Sequence, residues 1–158
     1  MAARALQFGP YTLDAVASDG VATPYFLAGP HMYAVGTFDG AVTPIGAEHL
    51  LGEMGGIWAH PIKVADGVTV ALAMPGGTPL PRRERSVTEA LTHLEWRERY
   101  AGLRLLRRDF VADDAAAFVM LLELENTGDA ALSGELELAV WLKFLGCWFG
   151  ALPGGGHQ

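Results

Sequence analysis

A chain of 158 residues, 51% hydrophobic and 18% charged, falls within the size of one domain, can bury roughly two-thirds of its unfolded surface and lies far from compositions that stay disordered. Its formal charge of −7 argues against non-specific nucleic-acid binding, and with no run of eighteen apolar residues it offers no ordinary membrane span. The single Cys147 can close no internal disulfide and the five histidines are scattered, which predicts a reducing, cytoplasmic setting and no metal or other cofactor.

Residues 1–16 are interrupted by Gln7, Gly9, Pro10, Thr12 and Asp14, so they do not read as a signal peptide. Short apolar stretches follow at 8–15, 25–27, 32–35 and 42–44, separated by Gly, Pro, Asp and Thr, as expected of short strands. Residues 47–54 are the one candidate for a brief helix. Residues 57–64 and 68–74 read as a hairpin turning at Asp66-Gly67, because Asp-Gly supplies the positive φ angles that a two-residue turn requires. The Pro- and Gly-rich residues 75–81 form a stiff connector inside one domain.

From Glu89 onward the alternation is clear. Leu94, Trp96 and Tyr100 recur at period two, with His93, Glu95, Arg97 and Arg99 opposite them. Ala101-Gly102 reverses the chain into residues 103–111, Asp113-Asp114 reverses it again, and residues 116–125 return, which predicts an antiparallel meander. After the turn at Asn126-Thr127-Gly128-Asp129, the apolar residues Leu132, Leu136, Leu138, Val140, Leu142 and Phe144 all take even positions. Ser133, Glu135, Glu137 and Lys143 take odd ones. A helix would spread these apolar residues around its circumference, so this is a strand, and Trp141 on the outer parity hints at a covered outer face. The reading is an all-β, antiparallel sandwich over residues 1–149 with at most one short helix, then a flexible, linker-like tail at 150–158 that suggests a piece of something longer.

Eight of the eleven basic residues lie between Arg82 and Arg108 against four glutamates, a local excess of four. This window reads as a solvated strand face with cross-strand ion pairs, the alternative being an anion-binding surface. Asp109, Asp113 and Asp114 read as strand-end and turn residues. No serine lies in a nucleophile elbow, no pair of carboxylates announces glycosidase geometry, and Cys147 reads as a small buried hydrophobe, so no catalytic set is legible.

The most distinctive segment is Leu51-Gly52-Glu53-Met54-Gly55-Gly56-Ile57-Trp58-Ala59-His60-Pro61-Ile62-Lys63. It lacks the Lys-Ser/Thr of a phosphate loop and precedes a strand, not a helix. One reading makes it a ligand-facing loop with Trp58 as a stacking platform and Glu53, His60 and Lys63 as polar contacts. The other has the paired glycines pass the backbone across a sheet edge while Trp58 fills the core.

Together with residues 92–96, 109–113 and Leu124-Glu125-Asn126-Thr127-Gly128-Asp129, this segment resembles the N-terminal domain of bacterial glycogen-debranching-type enzymes, members of the six-hairpin glycoside hydrolases. The resemblance covers residues 6–144. It implies a β-supersandwich that precedes an (α/α)6 catalytic barrel, and since this sequence does not include the barrel, no catalytic residue carries over. What it implies here is a noncatalytic domain that packs on the catalytic domain or contacts α-glucan, with residues 55–60 nearest the sugar and Trp58 the stacking residue. The alternative is a stand-alone sandwich that forms a homodimer through an edge strand or an apolar sheet face.

Overall fold

The computed structural model describes residues 24–42 and 55–146, and among them every regular element is a strand. The expected strand at 8–15, the helix at 47–54, Glu53, Cys147 and the tail lie outside the described residues. Nine strands run in chain order: β1 Pro24–Ala28, β2 Tyr33–Thr37, β3 Gly56–Ala59, β4 Ile62–Ala73, β5 Glu84–Glu89, β6 Leu94–Arg99, β7 Leu103–Val111, β8 Phe118–Asn126 and β9 Glu135–Gly146. They form two antiparallel sheets, one ordered β1-β2-β3-β4-β9 and one ordered β5-β6-β7-β8, which is the β-sandwich read from the sequence.

The core lies between the sheets. Tyr25, Leu27, Ala34, Ile57, Ala65 and Val68 of the five-stranded sheet meet Val87, Leu94, Trp96 and Val111 of the four-stranded one, with Met32, Phe38 and Val42 from the connections. The Trp96 ring stands edge-on to Tyr25 at 5.8 Å, and its Nε1 donates to the Phe38 carbonyl at 3.0 Å, so the largest core side chain is both packed and satisfied.

The meander appears as expected, with Gly102 at φ 73° in the β6–β7 turn and β7 spanning the anticipated residues. A fourth strand, β5, joins it. Its sequence Glu-Arg-Ser-Val-Thr-Glu buries only Val87, too few apolar positions to display a period.

The Asp66-Gly67 hairpin is corrected. The chain turns at His60-Pro61, and β4 passes through Asp66 and Gly67 as a continuous strand with register shifts on either side of Ala65. Long-range pairing overrides the local turn preference: Gly67 lies opposite Trp141 of β9, whose ring comes within 3.0 Å of where a Cβ would stand, and Val68 exchanges backbone bonds with Val42.

Of the glycine pair, Gly56 requires glycine, but it opens β3 inside the sheet, between β2 and β4, and not at a sheet edge. Gly56 has φ 111°, and a Cβ there would collide with the Ala65 carbonyl oxygen.

Candidate functional site

Three places in the fold gather the chemistry. The first is the outer face of the five-stranded sheet at β1–β4, where Tyr33 pairs with Trp58 and Trp58 with Lys63. The register stacks the Tyr33 and Trp58 rings nearly parallel, 5.8 Å apart and 9° inclined, while Phe26 leans on Tyr33 at 5.5 Å. The Lys63 ammonium lies 5.6 Å from the Trp58 ring and 2.5 Å from Asp66. Burial pushes the Asp66 carboxyl up, but bonds from Lys63 and Lys143 outweigh it and hold it below the usual range.

Trp58 is only 4% exposed and Lys63 is fully buried, so neither presents a face to solvent, whereas His60 is exposed at the neighbouring turn. The exposed ring of this ladder is Phe26, at 58%. Sequence alone misses it, because an isolated Phe on a short strand carries no signal until its neighbours across the sheet are known.

The second place is charged and lies between the sheets. Along β7, Leu105, Arg107, Asp109 and Val111 all point inward, placing a buried ion pair in the core. Arg107 donates from Nε to Asp109 Oδ1 at 2.8 Å, from Nη2 to Oδ2 at 2.5 Å and from Nη1 to the Gly40 carbonyl at 2.6 Å, while its guanidinium stacks 4.6 Å over Trp96. The strand-end role read for Asp109 is thereby corrected: it is an interior strand residue. Burial raises its carboxyl pKa even against the pull of Arg107.

Beside this pair opens a cleft of about 140 Å³ lined by Asp39, Thr69, Arg82, Arg85, Glu98 and Tyr100, among others. Glu98 accepts bonds from Arg85 Nε at 2.7 Å, from Arg82 at 3.2 Å and from the Tyr100 hydroxyl. Burial pushes Glu98 up, but the Tyr100 bond and the two arginines prevail and its pKa falls. Most of the arginine surplus is taken up this way or on the outer face of the same sheet. There Arg108 meets Glu95 and Glu123, Arg104 meets Glu125 and Arg99 meets Glu84, the cross-strand pairing expected of the basic window. With cations already matched and a volume well below the ~300–1,000 Å³ of sites that enclose drug-sized ligands, the cleft accommodates only a small polar group. Among the described residues no cluster of His, Cys, Asp and Glu is placed to hold a metal ion.

The third place is β9. It pairs with β4 and, among the described strands, with nothing on its other edge. Its even residues share a face with the core, since Val140 lies opposite buried Val68 and Leu142 opposite buried Ala65. Yet Leu136, Leu138, Val140, Leu142 and Phe144 are between 48% and 77% exposed. The strand is legible in the sequence, but its exposure is not, because alternation marks an apolar face and is silent on what covers it. The outer face carries Trp141, 53% exposed, so the cover anticipated over it amounts to the lean of that ring on Gly67. Leu124 of β8 adds a further exposed apolar residue at 48%.

Compared with family models, with curated proteins and with solved structures, the chain matches none.

Proposed function

We propose that this chain is a noncatalytic association domain that works by seating its β9 face on another folded polypeptide. The observation that carries this reading is the row of five large apolar side chains on β9, all about half exposed or more, on the face that elsewhere forms the core. Single exposed apolar residues are ordinary, but a contiguous row on one face of an edge strand, with Glu135, Glu137 and Lys143 turned to the other face, is the composition of a protein interface. The setting we favour is a debranching-type glycoside hydrolase assembly, supported by the resemblance of residues 52–63 and 124–129, with the (α/α)6 barrel as one surface such a domain would pack on. The test is an apolar reporter dye with the full chain. Leu138→Glu with Leu142→Glu should lower dye binding several-fold while the far-ultraviolet circular dichroism is kept, and unchanged dye binding in a folded variant would remove the reading.

Contact with α-glucan is the second reading, and the aromatic ladder favours it. Sugar rings stack their apolar faces on aromatic rings, and Phe26 offers such a surface beside Tyr33 and Trp58, with His60 exposed nearby. Titration with maltooligosaccharides would show binding that weakens in Phe26→Ala if this is correct, and no heat or shift at millimolar sugar if it is not.

A further inference from the structure

We infer that the surface received by β9 is β9 of a second copy, paired antiparallel about a two-fold axis through Val140, so that two five-stranded sheets become one of ten strands. This rests on the association reading and adds partner and register to it. Three observations lead there: an open edge, a self-complementary face and a self-complementary charge pattern. The edge of β9 is long, twelve residues, and bears no proline inside the strand that would block ladder bonds. No described strand lies beyond it, so its outward N–H and C=O groups are a ready template for another strand.

The register follows from face and charge. Directly opposed residues in an antiparallel pair point to the same side, so a symmetric pairing must place even residues against even ones, and one-residue slips are forbidden. An axis at Val140 sets Leu138 against the second copy's Leu142 and Leu136 against its Phe144, and it brings Glu137 opposite Lys143 twice, once on each side of the axis. Lys143 already lies 3.3 Å from Asp66 of its own strand pair, so Glu137 would join it as a second carboxylate.

The neighbouring allowed registers are poorer. An axis at Ala139 puts Glu137 against Trp141 and Phe144 against Gly134, and an axis at Trp141 puts Lys143 against Ala139 and Glu137 against Leu145. In the favoured register the two apolar rows become neighbours along the floor of a groove flanked by the two four-stranded sheets, and each row covers part of the other.

Light scattering on the full chain over a concentration series tests this. The expected mass is twice the 16.8 kDa of one chain. Glu137→Lys and Lys143→Glu each place like charges opposite one another twice, so each variant alone should dissociate at protein concentrations at least tenfold higher than the unaltered chain. Mixed in equal amounts they should recover. On one side of the axis the introduced lysine of the first variant then meets the introduced glutamate of the second, and on the other side the retained Lys143 of the first meets the retained Glu137 of the second. Glu135→Lys, opposite Leu145, should leave the mass unchanged and so reports the register. A dimer indifferent to the two reversals, or a mixture that does not recover, overturns this pairing. A chain that stays monomeric overturns the second copy as occupant, and the association reading then stands or falls separately on the dye measurement with Leu138→Glu and Leu142→Glu.

Discussion

Glu98 ties the mouth of the inter-sheet cleft to three side chains, and its charge is what makes them converge. A buried carboxylate that accepts bonds from Arg82, Arg85 and Tyr100 gives up its proton more readily in the fold than in the unfolded chain. Its stabilising contribution is therefore complete above the ordinary glutamate range and is lost as pH falls through the lowered folded value. Asp109 has the opposite sign: burial raises its pKa, so acidification relieves a cost there. Comparing the unaltered chain with Glu98→Gln isolates the first contribution. Loss of charge-assisted bonds should lower stability by about 1–3 kcal/mol at neutral pH, and the gap between the two unfolding curves should close as pH drops below the glutamate range. Urea titrations at a series of pH values would reveal a gap that persists in acid if Glu98 acted by shape alone.

At the scale of the element, the strands that can be read are those whose own residues alternate or that lie between clear turns. Residues 135–146 alternate cleanly and form a strand with its even residues on the core face, whereas residues 103–111 are read as a strand from the turns that bracket them and mix charged and apolar residues on both faces. β5 escapes such a reading because five of its six residues are polar and its place is fixed by ion pairs to β6, such as Arg85 with Glu98 and Arg99 with Glu84. The buried Arg107–Asp109 pair is likewise hidden, since two charges at inward positions look like surface until Gly40, distant in sequence, and the cross-strand Trp96 are brought over them. Asp66-Gly67 misleads for the reverse reason, a strong local turn signal overruled by β9. In the candidate site, the second reading of residues 55–63 anticipates a buried Trp58, but the burial of Lys63 and the stacking of Trp58 on Tyr33 are not legible, because they depend on β2 and on cross-strand pairing.

Gly56 makes the entry into β3 specific. At φ 111° an L side chain is strained, and its Cβ would press on the backbone oxygen of Ala65, which cannot swing aside. Gly56→Ala should therefore destabilise by at least ~2 kcal/mol, while Gly76→Ala, at φ 92° with nothing within 4 Å, should lose only the backbone strain, about 1 kcal/mol. Thermal melts of the two variants would rank them, and equal losses would mean that the contact with Ala65 carries no weight.

Across the whole molecule, stability is distributed unevenly, and the unevenness coincides with the proposed function. The half built from β1–β4 over β6 and β7 holds the aromatic core, the Arg107–Asp109 pair and the bonds that tie the residue 38–42 loop to both sheets. The other half thins toward β9, whose inward side chains meet solvent where those of β4 meet the opposite sheet. Amides that open only with the global unfolding event belong to the first half, whereas those on an edge strand with little buried apolar surface open locally at lower cost. Hydrogen exchange on the dilute chain should accordingly protect β6, β7 and the Val68 region of β4 most strongly and β9 least, although β9 is as long as β4 and paired along it. Raising the protein concentration should slow exchange selectively in β9 and leave β6 and β7 unchanged, because association covers only that edge. Uniform protection across both sheets in the dilute chain would mean that β9 is as firmly held as the core, and that its apolar row needs no partner to keep it in place.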